Sequence, residues 1–355
     1  MIYNIEASNM APKLELTVDG SSVRGLQEGA KEIVQHVQPD WKQDKLEFKV
    51  YTEGITNQLI GVWCEDRNSQ LLVRVYGCMT EMFIDRNAEK KSFEVLHRSG
   101  CCPPLYATFS NGLCYGFTQG SPISPDLVVQ EPIWRAISQE MARYHKIKVG
   151  DVEHPVLFPK LQAFLKLTPS SFEDVNKQMI IDKCGYNKSL LSKEVDELES
   201  CLTGLGCPVV FSHNDILLGN VIWNKETQKV GFIDYEYGGA NFQPFDVANH
   251  FNEFAGVDVV DYNRYPSAEF QRQWLRSYLS HYQDIPEEEV KEHDVELWYV
   301  WVNKFALASH LFWGSWAMVQ ANYSSIDFDF LGYGITRVDE YFKRKNEFLS
   351  LTPNL

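Results

Sequence analysis

Three residues carry the first chemical signal. Asp215 and Asn220 lie in VFSHNDILLGNVIW (Val210 to Trp223), a polar cluster between apolar flanks, and Asp234 closes the apolar run of KVGFIDYEY fourteen residues after Asn220. A carboxylate beside a hydroxyl can take up its proton, and an amide and a second carboxylate can offer oxygen ligands to a hard cation. Phosphoryl transfer needs these parts: a base near the attacking hydroxyl and a metal bridging the phosphates. Asp215 and Asn220 alone would equally suit a turn that uses Asn and Asp for local hydrogen bonds. Asp234 separates the two readings, because it adds a carboxylate at the next strand end, in the order a metal site requires.

The Asp-x4-Asn spacing and the later strand-end Asp match the catalytic loop and metal-binding Asp of protein kinases, so the other kinase parts can be sought upstream. Arg74 sits inside the strand-like run LLVRVYG, where a kinase carries its phosphate-binding Lys. An Arg there keeps the charge and grips phosphate with two N–H groups. Glu89, on the following helix, could pair with it; the alternative is a solvent-facing carboxylate, since Glu81 and Glu94 flank it. YTEGITNQL lacks GxGxxG, but Gly54, Thr56 and Asn57 can present backbone N–H and side-chain donors to phosphates. By itself that stretch is nonspecific.

These residues need a frame. Short β-rich runs begin at Leu46 (LEFKVYTEG, NQLIGVWC, QLLVRVYG). EMFIDRNAEKKSFEVLHRSG then reads as an amphipathic helix, apolar at Phe83, Ala88, Phe93 and Leu96 and ended by Gly100. PLYATFSNGLCYGFTQG reads as a hairpin around Asn111-Gly112, a type I′ signal. Beyond Gly120 the spacing predicts helices near 130–146, 157–167, 189–203, 244–254, 267–282, 290–321 and 335–348, with short strands at PVVFS, KVGFID and GNVIW. No internal repeat is present. The expected class is α+β: a loosely ordered arm over 1–30, a small β-rich, nucleotide-binding lobe over 31–119, and a larger, mainly helical lobe over 120–355. A ligand would lie in the cleft between the lobes.

Bulk properties narrow the function. The 355 residues are 44% hydrophobic and 13% aromatic, enough for a sizeable core. A net charge of -15 argues against a nucleic-acid binder and suits a cationic small-molecule substrate. The eight cysteines form no CxxC pair, and the first residues show no basic region followed by an apolar core, so reduced thiols in the cytoplasm are expected. LWYVWVNKFALASHLFWGSWAMVQ (Leu297 to Gln320) carries Asn303, Lys304 and His310, which fits a buried helix better than a transmembrane segment. A homodimer is compatible with the chain without being required by it.

The longer string HNDILLGN…FIDYEYGGANFQPFDVANHFNEFAG…NKFALASHLFWGSWAMVQANYSSIDFDFLGY resembles the choline/ethanolamine kinase family. NHFNEFAGVDVVDYNRYP and SSIDFDFLGY resemble its ethanolamine kinases more than its choline kinases, which usually have Trp after that Glu. The likeness runs from Phe48 to Phe342 and is loose around 150–205. It implies a two-lobed, protein-kinase-like fold, ATP and Mg2+, and phosphorylation of ethanolamine to phosphoethanolamine, the first step of the CDP-ethanolamine route to phosphatidylethanolamine. Choline, or both amines, is the alternative substrate. More distant are an aminoglycoside phosphotransferase-like enzyme and a kinase-fold binding protein without catalysis, the latter disfavoured because base and metal ligands are all present. Carried over, Asp215 is the base, Asn220 and Asp234 hold Mg2+, Arg74 with Glu89 positions phosphates, and the backbone of Gly116, Phe117 and Thr118 meets adenine. The resemblance makes Asp246 a brace for the catalytic loop and His213 structural. One departure stands out: Asp234 is followed by Tyr-Glu and not by Phe-Gly.

The same resemblance places Tyr237, Trp313, Trp316, Phe328 and Tyr333 around the amine. Trp298 and Trp301, on the same long helix, read as core. Rings attract a cation through their quadrupole, which suffices for a quaternary ammonium. Ethanolamine's ammonium brings three N–H donors that need acceptors when buried. Glu253 is the candidate acceptor, with Asp258 the weaker one.

Overall fold

The computed structural model describes residues 11–51, 57–77, 86–148, 154–324 and 326–353. The chain divides into two compact units, 1–119 and 120–355.

In the first unit the strands β1 (Lys13–Leu14), β2 (Leu46–Tyr51), β3 (Asn57–Cys64), β4 (Leu71–Tyr76), β5 (Leu105–Phe109) and β6 (Gly112–Gly116) form one sheet in the order β1-β5-β6-β4-β3-β2. Only the β1–β5 pairing among them is parallel. Helix α1 (Val23–Val37) lays Leu26, Ala30, Ile33 and Val34 onto Ile60, Val62, Val73 and Val75 of the sheet core. Those spacings put four apolar side chains on one helical face, and Ser22 caps the helix by accepting from the Gly25 N–H. The expectation of a loosely ordered arm over 1–30 therefore fails for its described part, where β1 joins the sheet, Ser22 caps α1, and Leu26 and Ala30 pack into the core beneath it. Helix α2 (Arg86–Arg98) buries Glu89, Ser92, Phe93 and Leu96, while Ala88, expected on the apolar face, is exposed.

The hairpin also differs from expectation. Phe109 pairs with Gly112, so the two-residue loop is Ser110-Asn111, and neither Asn111 nor Gly112 has positive φ. A type I′ turn needs positive φ at both central residues, so that turn is absent. Gly112 serves close approach instead: a Cβ there would lie 2.1 Å from the Arg74 carbonyl oxygen of the neighbouring strand.

The second unit is mainly helical. After β7 (Ser121–Pro122) come α3 (Glu131–His145), α4 (Leu157–Leu167), α5 (Val175–Cys184) and α6 (Lys188–Thr203). Strands β8 (Val209–Ser212), β9 (Val221–Asn224), β10 (Lys229–Phe232) and β11 (Gly239–Phe242) follow, then α7 (Gln243–Asn252), α8 (Ala268–Gln283), α9 (Glu292–Tyr323) and α10 (Phe330–Ser350). Strands order as β10-β9-β7 and β11-β8 in two small sheets. All ten residues of α7 are buried, and α9 is buried on nearly every side from Val302 to Ala321. Burial all round explains why α9 looks uniformly apolar, and no helix among the described residues is long and apolar enough to cross a membrane. Helices α9 and α10 pack through glycines: a Cβ on Gly314 would meet Val338 at 3.1 Å, and one on Gly334 would meet the Gly314 carbonyl at 3.1 Å. Helix α5 was not expected from periodicity, because it buries only Ile181. The described cysteines, all but residue 78, form no disulfide.

Candidate active site

Strand β8 delivers the chain into the loop that holds His213, Asn214 and Asp215, and α7 supplies the residue that shapes it. The Asp246 carboxylate accepts the His213 backbone N–H at 2.7 Å and the Asn214 N–H at 2.6 Å. Two successive N–H groups can converge on one carboxylate because Asn214 turns left-handed, φ 68°, a conformation Asn tolerates better than most residues. The Asn214 side chain donates to the Tyr237 carbonyl at 2.9 Å and accepts from Asn241 at 2.7 Å. Asp246 is fully buried, and these charge-assisted bonds offset its desolvation.

A second layer supports Asp246. His145 places Nε2 3.2 Å from Asp246 Oδ2 and Nδ1 2.5 Å from the Tyr278 hydroxyl, which also accepts from Gln243 at 2.6 Å. His213 sets its ring by Nε2 against the Ile233 carbonyl at 3.0 Å, so Nε2 carries the proton and Nδ1 accepts the Asp215 N–H at 3.3 Å. Burial lowers the His213 pKa against the pull of Asp246 and Asp234, consistent with a neutral structural imidazole.

Asn220 donates through Nδ2 to the Asp215 main-chain carbonyl at 2.9 Å and to Asp215 Oδ2 at 3.2 Å. The Asn220 main-chain carbonyl accepts the Ile233 N–H at 3.0 Å, which ties the loop to the strand end where Asp234 sits. Asp234 is itself left-handed, φ 66°. Burial, then the charges of Asp234, Glu253 and Glu236, raise the Asp215 pKa well above the ordinary carboxylate range. That concentration of negative field is what a bound cation would relieve. Among the described residues no three His, Cys, Asp or Glu side chains form a metal-binding group. The candidate set is instead one amide oxygen and one carboxylate, which fits Mg2+, an ion that completes its shell with water and substrate phosphates.

The rings meet edge to face in a chain. Tyr237 and Trp313 are 5.1 Å apart at 73°, Trp313 and Trp316 5.6 Å at 80°, and Trp316 and Phe330 5.7 Å at 74°. Phe330 continues to Phe328 at 4.9 Å, and Phe328 to Tyr333 at 5.9 Å. All five expected rings are joined, with Phe330 added. Trp298 packs on Tyr278 and Trp301, apart from this chain, as a core residue. Lys160 of α4 lies over the Tyr237 ring at 5.2 Å. Glu253 is 3% exposed, and Arg337 Nη1 donates to its Oε1 at 2.7 Å. Asp258 is exposed. The sequence reading missed Arg337, although a polar face at Asp246, Asn249 and Glu253 along an otherwise buried helix signals partners arriving from elsewhere.

In the first unit Arg74 and Glu89 form a buried ion pair across β4 and α2. The solvent-facing alternative for Glu89 is thus excluded: it is 2% exposed. Arg86 joins it, Nη1 to Glu89 Oε2 at 3.0 Å, stacks over Tyr76 at 3.9 Å, and reaches Asn57 Oδ1 at 3.5 Å. Gly54 and Thr56 lie outside the described residues. The Gly116 N–H is committed to the Pro104 carbonyl at 2.9 Å, which leaves Phe117 and Thr118, half-buried past the end of β6, as the candidate adenine-facing backbone.

Known proteins resemble this chain over nearly its whole length. A family model described as choline/ethanolamine kinase matches residues 48–342. Human ethanolamine kinase 1 is 44% identical over 347 residues, spanning 96% of this chain and 76% of the human one. The solved Plasmodium vivax ethanolamine kinase superposes with a TM-score of 0.78 at 27% identity, covering 90% of this chain and 89% of that one. A choline kinase from Cryptosporidium parvum shares the fold, TM-score 0.76 at 24% identity, over 92% of this chain and 98% of its own.

Proposed function

The chain belongs to the choline/ethanolamine kinase family, and from that premise we propose that it transfers the terminal phosphoryl group of ATP to the hydroxyl of ethanolamine, giving phosphoethanolamine for phospholipid synthesis. The observation that supports this most is local to the second unit. Asp215, bonded to Asn220, feels the charges of Asp234 and Glu253, and Glu253 is tied through Arg337 to the ring chain at Tyr333.

In this reading Asp215 takes the hydroxyl proton as the oxygen attacks phosphorus, and its raised proton affinity suits it to hold that proton. Asn220 spends its amide nitrogen on orienting Asp215, so its amide oxygen, with the Asp234 carboxylate, would hold Mg2+. Held by these two residues, Mg2+ would neutralise charge on the phosphates. Arg74, braced by Glu89, grips phosphate with Asn57, Gly54 and Thr56, and Phe117 and Thr118 present backbone to adenine. Tyr237, Trp313, Trp316, Phe328 and Tyr333 surround the ammonium, and Glu253 accepts from its N–H groups. Choline, with no N–H to satisfy, would use the rings alone. Free thiols support a cytoplasmic setting.

The test is ADP release with ATP, Mg2+ and ethanolamine, choline or an aminoglycoside. Ethanolamine should be turned over with the highest kcat/KM. Release stimulated by none of the amines, or by the aminoglycoside alone, overturns the reading.

A further inference from the structure

Three buried side chains, Asn249, Ser309 and Arg337, none of them a ring of the amine wall, connect that wall to the acceptor. Arg337 on α10 sends Nη1 to Glu253 Oε1 at 2.7 Å and to the Tyr333 hydroxyl at 3.3 Å. Its Nη2 reaches Ser309 on α9, the carbonyl at 3.3 Å and Oγ at 2.9 Å. Because Ser309 Oγ accepts from the guanidinium, its own proton is free for Asn249 Oδ1 on α7, 2.8 Å away. The Trp313 indole N–H donates to that same oxygen at 2.7 Å. Asn249 and Ser309 are fully buried, Arg337 is 2% exposed and Trp313 6%. Each bond has a fixed direction, since guanidinium and indole only donate and the carboxylate only accepts. No described residue donates to Glu253 Oε2.

We propose that Ser309 is the positioning residue of a relay, Trp313–Asn249–Ser309–Arg337–Glu253, that holds acceptor and ring wall in register and so sets the preference for primary over quaternary amines. This rests on the amino-alcohol kinase reading. The relay has two arms with separate consequences. The Arg337 arm aims Glu253 Oε2, which matters in proportion to the N–H groups the substrate carries. The Asn249 arm fixes the Trp313 indole, which faces any ammonium regardless of its substituents.

The experiment uses the full chain with ethanolamine, N-methylethanolamine, N,N-dimethylethanolamine and choline, measuring kcat/KM for each and KM for ATP. Ser309→Ala should lower kcat/KM about tenfold for ethanolamine and only about twofold for choline, graded between them, with KM for ATP unchanged. Asn249→Ala should lower all four amines by a similar factor. A Ser309→Ala loss that is equal across the series overturns the relay while leaving the kinase reading intact. No turnover of any amine by the wild-type chain overturns both. Should Ser309→Ala fail to fold, Ser309→Cys, of nearly the same volume but a much weaker acceptor, must show the same grading, and an even loss counts against the proposal.

Discussion

The Asn220 side-chain amide donates to the Asp215 carboxylate, Nδ2 to Oδ2 3.2 Å, so the candidate metal ligand also orients the candidate base. In the proposed mechanism one residue would thereby link where the proton goes to where the cation would sit. Asp215→Asn keeps the shape of this pair and removes the base. Turnover should fall by about a thousandfold or more, while equilibrium affinity for ATP stays within about threefold, because proton uptake contributes to chemistry and not to nucleotide binding. Near-normal kcat in Asp215→Asn would remove Asp215 from the role assigned to it.

Arg74 offers a planar fork where most kinases offer the point charge of a lysine, and Glu89 and Arg86 hold that fork in place. Arg74→Lys should raise KM for ATP about tenfold and leave KM for the amine within about twofold. The check is steady-state kinetics with each substrate varied in turn. A matching rise in both KM values would show a general loss of structure in place of a lost phosphate contact.

Asp246 satisfies two buried backbone N–H groups and faces His145. Asp246→Asn presents an amide donor to groups that can only donate. Conformational stability should fall by roughly 2–4 kcal/mol, read from urea midpoints at constant slope, with kcat lowered at temperatures where the variant stays folded. Unchanged stability would mean that the loop holds its shape by other contacts.

His250 supplies a pH dependence. Burial pushes its pKa down to about 4 from 6.5, against the Ile216 carbonyl and the charge of Asp246, which favour the protonated form. Nδ1 lies 3.1 Å from the Ile216 carbonyl and so carries the proton, whereas the buried Nε2 has no hydrogen-bond partner among the described residues. The unfolded chain protonates near pH 6.5 and the folded chain near 4, so the unfolded state binds more protons in between. Stability held above pH 6.5 should therefore decline as pH falls through that window, by roughly 2–3 kcal/mol at pH 4.5 from this residue. His250→Gln, compared with wild type by urea unfolding at pH 7 and 4.5, should remove most of that difference; an unchanged pH slope would argue against it.

Much of this architecture was legible where a residue's role is set by its neighbours in sequence. Helix α4 falls at 157–167 as its apolar spacing predicts, and the order of Asp215, Asn220 and Asp234 carries the site because a loop and the next strand end are covalently close. Helix α1 was missed: Ser22 and the spacing of Leu26, Ala30, Ile33 and Val34 carry its signal, but polar surroundings masked it. Helix α5 was not legible, since Val175, Met179 and Ile180 are exposed and a helix with one buried residue has no stripe to detect. The hairpin turn failed for another reason: Gly112 answers a steric demand from Arg74 on another strand, which no local pattern expresses. Arg337 and Glu253 stand 84 positions apart, and a charged residue shows its partner only after folding brings the helices together.

The segment after Asp234 bears on how such a protein is governed. Tyr235, Glu236 and Tyr237 are each under a tenth exposed, the Tyr235 hydroxyl is 2.5 Å from the Phe232 carbonyl, and Tyr237 is wedged against Trp313. Swinging Asp234 out of place together with this segment would expose two buried aromatic rings, at a cost of about 2–3 kcal/mol each. A displaced form would be too rare for a modification or a small effector to capture at ordinary affinity. Asp234 should then not serve as a movable switch in this chain, like a valve built without a handle.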